Sequence, residues 1–364
     1  MKKKIMALSL CFLSMSYAQA AEVTPAKASA IAKQMMAERV DGFADEVKDV
    51  KAVSYEGQKS YYVVSFAKGG WALISADDMS SPLLGYNTSG TFETEGQPEN
   101  MKYMLNIYSR QIRDNARLNG SRHAGWEQAS RPTGSNARRA PRRAASNKVE
   151  PLIKVKWNQS GTFAKYTPDN VVVGCVAVAM AQAMSVHQYP DRPQGSHAYV
   201  SSTNTYSLYI DYDKEAAYNW SAILSGANKN DEVARLLYHC GVSVNMNYDA
   251  SGSGAQESSI PGALKNYFKY PNAATVHYRN NYQGNWKQLI IDELLNGRAV
   301  IYCGADPVKK YGHCFNLDGY DGNFFNVNWG WGGANNGYFS LDGLKDNTMD
   351  MNYTSDQSAV VDVR

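Results

Sequence analysis

The stretch GHCFNLDGYDGNFFNVNWGWGG, residues 312–333, limits the possible folds more than any other part of this chain. Two strand-like runs, CFNLDGY and FFNVNW, flank Asp321-Gly322, and Asp-Gly between such runs is a strong signal for a β-hairpin. If those two residues form the turn, His313 lies opposite Gly330, and a three-residue loop shifts its partner to Trp331. Either register predicts an imidazole beside a corner rich in tryptophan and glycine.

A cysteine far upstream offers a chemical partner for that histidine. Cys175 follows Gly174 at the start of GCVAVAMAQAMSVH, an Ala- and Met-rich segment that indicates a buried helix. A thiol at a helix N-terminus meets free N–H groups and the positive end of the dipole, which predicts a lowered pKa. The roughly 140 residues between Cys175 and His313 suit a helix-borne nucleophile and a sheet-borne base. Each residue alone also fits a plain structural role in the core.

The N-terminus carries a targeting signal. MKKK supplies a basic region, IMALSLCFLSMSYA supplies an apolar core, and residues 18–20, Ala-Gln-Ala, form a cleavage site. A membrane anchor is the alternative, but the apolar run is too short and ends in small residues. The sequence predicts a signal peptide over residues 1–20 and a secreted product, with retention at the cell surface left open. No later window predicts a membrane span.

The rest of the chain divides into two folded units and a linker. Residues 21–120 combine a helix, a hairpin around Lys-Gly-Gly and an amphipathic helix, which predicts a small α+β unit. Residues 121–148 are polar, without periodicity, and rich in arginine. Residues 149–364 begin with helices and end with strands, which predicts an α+β domain.

The positive charge of the linker favours a processing site. Arg138, Arg139, Arg142 and Arg143 concentrate it in one flexible segment between two folded units. A plain solvated linker is the alternative. A nucleic-acid patch is disfavoured because no aromatic residues or binding motif accompany the charges.

The remaining cysteines predict neither a metal site nor a disulfide framework. No two cysteines or histidines have a ligand spacing apart from the adjacent pair His313-Cys314. An exported chain can carry disulfides, but the spacing resembles no framework. Cys240, Cys303 and Cys314 are therefore interpreted as small buried apolar residues.

Several strings resemble the streptopain family of secreted bacterial cysteine proteases, close to the interpains of oral anaerobes. They are GCVAVAMAQAM, DASGSGA, NGRAVIY and GHCFNLDGYDGNFFNVNWGWGGANNGYF, and GWALISADDMSSPLLGYNTSG resembles the pro-domain of that family. The resemblance implies a papain-like two-lobed catalytic domain preceded by an inhibitory pro-domain. It further implies a zymogen that hydrolyses protein and peptide substrates, with host proteins as targets and without metal or organic cofactor.

The resemblance also implies roles for individual residues. Cys175 matches the nucleophile, His313 matches the general base and acid, and Gln159 in KWNQSG matches the side-chain donor of the oxyanion hole. Papain-like enzymes carry an asparagine in NSWG as third catalytic residue, whereas the matching string here is WGWG. Trp329 stands at that asparagine, and Trp331 matches the family tryptophan.

A tryptophan can only donate one hydrogen bond, so it cannot orient an imidazole as an amide oxygen does. The family resemblance implies a Cys–His dyad, with Trp329 and Trp331 shielding or positioning the ring. The adjacent Asn328 is a further candidate, although a structural asparagine at a strand end is the simpler interpretation. The string CGSCW is absent, which puts close papain-like specificity in doubt.

A glycine loop completes the candidate site. Ser251, Gly252, Ser253 and Gly254 are predicted to flank the substrate cleft, with an ordinary solvent loop as the alternative. Two other functions stay open on sequence alone: an acyl-transfer enzyme such as a transglutaminase or amidase, and an exported adhesin or inactive protease. The WGWG string disfavours the first, and the intact Cys175, His313 and Gln159 disfavour the second.

Overall fold

The computed structural model describes residues 21–40, 43–97, 99–117, 122–130, 148–225, 231–271, 274–305, 312–341 and 357–364. The predicted signal peptide and the linker residues Arg138, Arg139, Arg142 and Arg143 lie outside the described residues. Within the described part of the chain, no helix is both long enough and apolar enough to cross a membrane.

The N-terminal unit contains the predicted helix, hairpin and amphipathic helix, and these predictions are confirmed. Thr24 caps the first helix through its hydroxyl, and proline occupies the first helical position, where its missing N–H costs nothing. The elements are α1 (Pro25–Arg39), β1 (Val47–Tyr55), β2 (Gln58–Phe66), β3 (Trp71–Ser75), β4 (Leu83–Asn87) and α2 (Glu99–Arg117). A further short helix, α3 (Gly125–Ala129), lies in the segment predicted to be linker and packs on this unit through Trp126.

The C-terminal unit begins with helices and ends with strands, as predicted. Its helices are α4 (Cys175–His187), α5 (Trp220–Leu224), α6 (Asp231–Ser243), α7 (Ile260–Tyr267) and α8 (Trp286–Leu295). Its strands are β5 (Ser196–Val200), β6 (Ser207–Asp211), β7 (Thr275–Tyr278), β8 (Val300–Ala305), β9 (Gly312–Tyr320), β10 (Phe325–Asn328), β11 (Gly337–Phe339) and β12 (Gln357–Val361).

One sheet runs through both units. Its ten strands follow the order β1-β2-β3-β4-β11-β10-β9-β8-β12-β7, and β5 and β6 form a separate hairpin. The N-terminal strand β4 pairs antiparallel with β11 of the C-terminal unit. The two units predicted from the sequence are therefore joined by main-chain pairing as well as by side-chain contacts.

The junction between β4 and β11 requires glycine at position 85. A Cβ on Gly85 would lie 2.8 Å from both Phe339 Cδ1 and the Tyr338 carbonyl oxygen, closer than real contacts allow. Beside it, Tyr86 stacks on Tyr338 with ring centroids 5.1 Å apart. The Tyr86 hydroxyl also donates to the Asp321 carboxylate at 2.6 Å. Backbone pairing, ring stacking and a hydrogen bond thus join the two units along the β4–β11 pair, which we call the seam.

Helix α2 covers one face of this sheet. Its apolar side chains are buried together with aromatic residues from the C-terminal strands, and full burial of such a side chain stabilises by about 1.5–3 kcal/mol. The shared cluster includes Met101, Met104, Leu105, Tyr108, Phe315, Leu317, Trp329 and Phe339. Helix α4 packs on the opposite face, in a second cluster that includes Val176, Met180, Cys303 and Cys314.

The hairpin at β9 and β10 is confirmed, but its loop is longer than both the two-residue turn and the three-residue loop considered for it. The loop covers Asp321–Phe324, and the Asp321 carboxylate accepts N–H bonds from the second and third residues after it. A register shift follows within β10, and the paired ladder ends at Asn316 and Asn328. His313 therefore lies beyond the end of this ladder and is not paired with Gly330.

Two cysteines predicted to be separate form a disulfide instead. The antiparallel register of β8 and β9 sets Cys303 directly opposite Cys314, with 4.1 Å between their Cα atoms, and the two are bonded. Cys240 is free and buried, as predicted. Sequence spacing could not reveal the pair, because the loop between the strands does not fix the register.

Candidate active site

Helix α4 presents Cys175 at its first turn because of the glycine before it. Gly174 has φ +95°, a conformation that side chains with a Cβ rarely adopt. A Cβ there would also lie 2.6 Å from Met246 Sδ and 3.1 Å from the Ser253 carbonyl oxygen. Glycine therefore lets the chain turn sharply into the helix and leaves the thiol at its N-terminus.

The thiol lies against the strand that carries the candidate base. Cys175 Sγ accepts a hydrogen bond from the backbone N–H of Cys314 at 3.4 Å, and Cys175 is half-buried. Because β10 has ended at this level, the sulfur takes the place of an acceptor in a neighbouring strand. The structure therefore brings Cys175 next to the main chain at His313 and Cys314, which are 138 and 139 residues downstream.

Burial sets the ionisation of this thiol. Desolvation raises the pKa of Cys175, and the N–H groups of Cys314, Val176 and Cys175 itself oppose that rise. The lowered pKa expected from the helix N-terminus is therefore wrong for this form of the chain. The helix donors are present as predicted, but the loss of water around the sulfur outweighs them.

His313 lies on the face of the sheet that α2 covers. It is paired with Gly304 of β8, and alternation along β9 sets it on the same face as Phe315. A Cβ on Gly304 would lie 3.4 Å from Tyr103 Cε1 of α2. The N-terminal unit thus reaches the immediate neighbourhood of the candidate base.

Gln159 is held beside the start of α4. Its backbone carbonyl accepts the Val173 N–H at 2.8 Å, two residues before Cys175, and the residue is buried. Just upstream, the Trp157 carbonyl accepts the Gly332 N–H at 2.8 Å. The predicted oxyanion donor, nucleophile and tryptophan loop are therefore neighbours in the fold.

Trp329 is buried, and its indole N–H donates to the Asn335 carbonyl at 3.0 Å. The ring packs against Phe315 and Phe339, with centroids 4.8 and 5.4 Å away. Trp331 is half-buried against the same cluster. Both predicted tryptophans therefore contribute to the wall on the histidine side of the sheet.

Asn328 directs its side chain to the helix side of the sheet. Its Nδ2 donates to the Val155 carbonyl at 3.1 Å, and its Oδ1 accepts from Gln182 Nε2 and from the Gly330 N–H, each at 3.2 Å. These contacts link strand, helix and tryptophan loop, and they point away from the face that carries His313.

The glycine loop approaches the start of α4 at one point. Its ends are bridged between Asn247 and Gly254, and the Asp249 carboxylate accepts from both the N–H and the hydroxyl of Ser251. Ser253 is buried and contacts the position of Gly174, as described above, whereas Ser251 and Gly252 are exposed. Ser253 is thus the loop residue that approaches Gly174, the residue before Cys175.

An unpredicted asparagine connects the N-terminal unit to the tryptophan loop. Asn335 Oδ1 accepts the Glu93 N–H at 2.7 Å, and its Nδ2 donates to the Glu93 carbonyl at 3.1 Å. Nearby, Asn87 Nδ2 donates to the Asn336 carbonyl at 2.5 Å. The string GANNG was the available signal, but the partners lie more than 240 residues away.

A buried acid on β9 gives the fold a pH dependence. Asp318 Oδ2 accepts the Ile153 N–H at 3.0 Å, while its Oδ1 is buried without a protein partner. Burial raises the pKa of Asp318 from 3.8 to about 7, against the opposing effects of that N–H and of Lys154. The folded chain holds this proton more tightly than the unfolded chain, so the stabilisation is complete below about pH 4 and is lost as pH rises through 7.

We expect Asp318→Asn to remove this dependence. In a Cys175→Ala background, the unfolding free energy of the parent should fall by about 4 kcal/mol relative to that of the variant between pH 4 and pH 8, because the other titrating groups are common to both. Denaturant unfolding at a series of pH values measures the difference. Equal slopes in the two proteins would contradict the assignment.

No group of three His, Cys, Asp or Glu side chains arranged to hold a metal ion occurs within the described ranges.

Known families match both units. The profile of the Peptidase C10 family matches residues 157–339, and that of the Spi protease inhibitor matches residues 20–112. Streptopain from Streptococcus pyogenes serotype M28 is 31% identical, covering 93% of this chain and 90% of its own. The thiol protease/hemagglutinin PrtT of Porphyromonas gingivalis is 29% identical, covering 100% of this chain and 44% of its own.

Solved structures match as well. A fragment of Prevotella intermedia prointerpain A superposes with a TM-score of 0.66 at 27% identity, covering 87% of this chain and 98% of that one. Active Prevotella intermedia interpain A, a cysteine protease, gives a TM-score of 0.51 at 29% identity, covering 59% of this chain and 94% of that one. The longer match includes the N-terminal unit.

Proposed function

The chain belongs to the peptidase C10 family of thiol proteases, and from that premise we propose that it is a secreted endopeptidase zymogen acting through Cys175 and His313. The observation that carries this assignment is the hydrogen bond from the Cys314 N–H to Cys175 Sγ, which joins the start of α4 to the strand of His313. Gln159, which is held beside the start of α4, is the proposed side-chain donor of the oxyanion hole.

The proposed reaction passes through an acyl-enzyme. The Cys175 thiolate attacks the peptide carbonyl, and the resulting oxyanion is stabilised by the Cys175 N–H and the Gln159 side chain, each contributing about 3–4 kcal/mol. His313 gives a proton to the departing amine as the C–N bond breaks. Water then attacks the thioester, His313 takes its proton, and the acid and free thiol are released.

Latency is proposed to reside in the N-terminal unit, residues 21–120. Helix α2 occupies the face on which His313 lies, so a substrate cannot reach the imidazole from that side until α2 leaves. The pairing of Glu93 with Asn335 holds the loop that follows Trp329. The raised pKa of Cys175 keeps the thiol protonated in this form, which also suits an inactive precursor.

Activation is proposed to follow cleavage within the basic linker, between about Arg138 and Lys148, either by the enzyme itself or by another protease. The catalytic domain would then comprise residues 149–364. Trp329 and Trp331 would shield the His313 ring, and Ser251–Gly254 would border the substrate cleft. Export through the signal at residues 1–20 would deliver the enzyme to host proteins as substrates.

Active-site labelling tests the proposal. A thiol-directed epoxide should modify Cys175 after conversion of the chain to its smaller form, and modification should be at least tenfold slower in the uncleaved chain. Peptide mapping by mass spectrometry identifies the modified residue, and buried Cys240 serves as the internal control. Unchanged labelling of a converted Cys175→Ala variant, or hydrolysis of casein that the epoxide does not block, would refute the assignment.

A further inference from the structure

Three buried amide side chains connect the parts of the candidate active site. Gln182 lies on α4, Asn316 lies on β9, and Asn328 ends β10; their exposed fractions are 0%, 0% and 3%. We call these three residues the amide relay. Their hydrogen bonds connect the segments that carry the candidate catalytic residues.

The relay first joins the helix of the nucleophile to the strand of the base. Asn316 Nδ2 donates to Gln182 Oε1 and to the Ala179 carbonyl, both at 3.1 Å. Gln182 lies two helical turns after Cys175, about 10 Å along α4. Asn316 lies on the same strand as His313. Two directional bonds thus hold α4 against β9 close to both catalytic groups.

The relay continues to the other two segments of the site. Gln182 Nε2 donates to Asn328 Oδ1 at 3.2 Å, and the same oxygen accepts the Gly330 N–H, next to Trp329. Asn328 Nδ2 donates to the Val155 carbonyl in the segment that leads to Gln159. All four segments proposed to carry catalytic groups are therefore bonded to one connected set of amides.

Apolar packing alone would hold these segments less exactly in register. Hydrophobic burial is non-directional, whereas hydrogen bonds between buried amides fix both distance and orientation. Leaving one partner of such a bond unsatisfied in the core costs about 1–3 kcal/mol. Gly330 passes close to α4 as well, since a Cβ there would lie 3.1 Å from Val178 Cγ1. The loop, the helix and the strand cannot shift without breaking a relay bond.

We propose that Gln182, Asn316 and Asn328 are positioning residues that set the alignment of Cys175, His313, Gln159 and Trp329. This inference rests on the proposed function and assigns the relay a role in the rate of acylation. A displacement of about 1 Å between reacting groups can lower a rate about a hundredfold. Loss of the relay therefore lowers kcat while leaving substrate affinity nearly unchanged.

Two substitutions at position 182 distinguish a role in aligning the catalytic groups from a role in stability alone. Gln182→Met keeps the size of the side chain and removes both relay bonds. Gln182→Glu keeps the acceptor for Asn316, and its carboxyl, while protonated, can still donate to Asn328. Burial favours that protonated form. Tyr212→Phe is the matched control, because it removes one buried hydrogen bond, to the His239 carbonyl, away from the relay.

Each full-length variant is converted with a trace of tagged wild-type enzyme, which is then removed, and kcat and KM are measured on a peptide from pH 5 to pH 9. Gln182→Met should lower kcat about 10- to 100-fold with KM within about twofold. Gln182→Glu should retain activity at low pH and lose it as its carboxyl ionises. Tyr212→Phe should lower the unfolding temperature comparably while retaining kcat.

The inference is overturned if Gln182→Met keeps kcat within about twofold, or if Tyr212→Phe loses as much activity as Gln182→Met. The rate of iodoacetamide reaction at Cys175 is followed against pH in the same samples, by peptide mapping. A relay that positions His313 should shift this profile in Gln182→Met. If the wild type fails to cleave peptides, the proposed function fails, while an unchanged alkylation profile in Gln182→Met refutes the relay separately.

Discussion

Replacing Cys175 with alanine should lower peptide-bond hydrolysis about 10⁶-fold, the scale on which removal of a catalytic nucleophile acts in proteases of this general kind. The residual oxyanion hole cannot compensate, because without the sulfur no acyl-enzyme forms. The same variant should accumulate as the full-length precursor if the enzyme cleaves its own linker. Initial rates on casein or a peptide, with gel analysis of the precursor over time, measure both effects.

The control for this experiment is Cys240→Ala. Among the described residues, Cys240 is the other free cysteine; it is buried on α6, where its thiol contacts Met184 at 3.7 Å. That variant should lose some stability and keep its activity. Hydrolysis by purified Cys175→Ala at more than about a thousandth of the parental rate would exclude a catalytic thiol at this position.

Replacing Gly85 with valine should activate the uncleaved precursor by about ten- to a hundredfold. The new side chain has no room, because Phe339 and the Tyr338 carbonyl already lie within 2.8 Å of the position of its Cβ. Overpacking of this kind costs about 1–3 kcal/mol, and 1.4 kcal/mol is a factor of ten in an equilibrium. That cost falls on the closed form, in which β4 is paired with β11.

Activity is measured on a small peptide before any cleavage, as judged on gels of the same samples. Gly57→Ala provides the comparison: Gly57 lies in the β1–β2 turn at φ +79° with nothing near its Cβ position, so the substitution strains the same unit away from the seam. Equal activation by both variants would show that general weakening of the unit, rather than the β4–β11 seam, controls latency.

The sequence predicted the elements that carry the candidate chemistry because their signals are local. The Ala- and Met-rich run after Gly174 has the composition of a buried helix, and α4 begins at Cys175. The Asp-Gly pair between two strand-like runs predicted the hairpin of β9 and β10. In both places a few neighbouring residues determine the structure, so no information from distant parts of the chain was needed.

The features that were missed depend on distant contacts. The pairing of β4 with β11 joins residues about 250 positions apart, and neither strand carries a local sign of its partner. The disulfide at Cys303 depends on a register that only the assembled sheet defines. The pKa of Cys175 depends on how much water the surrounding units exclude, which outweighs the helix terminus visible in the sequence.

The amide relay shows a further limit of prediction from the sequence. Gln182 occurs in a helix of alanines and methionines, where a buried polar residue is a visible exception. Its partners on β9 and β10 could be found only once the strands had been placed. Asn328 was a further candidate for assisting His313 because of its place in the string, with a structural role as the simpler interpretation, and its bonds lead to the helix side of the sheet. A role taken from a family motif can therefore be assigned to a residue only when the orientation of its side chain is known.

The seam at β11 has a consequence for the protein after maturation. If the N-terminal unit is released, the three-residue strand β11 becomes the outer strand of the sheet in the catalytic domain. Its unpaired backbone amides and carbonyls would then face solvent, and such edges pair with strands of other molecules. While β4 is paired with β11, the N-terminal unit covers this edge and so would limit aggregation. Keeping the protein as the uncleaved precursor would then preserve its solubility as well as protect nearby proteins from hydrolysis.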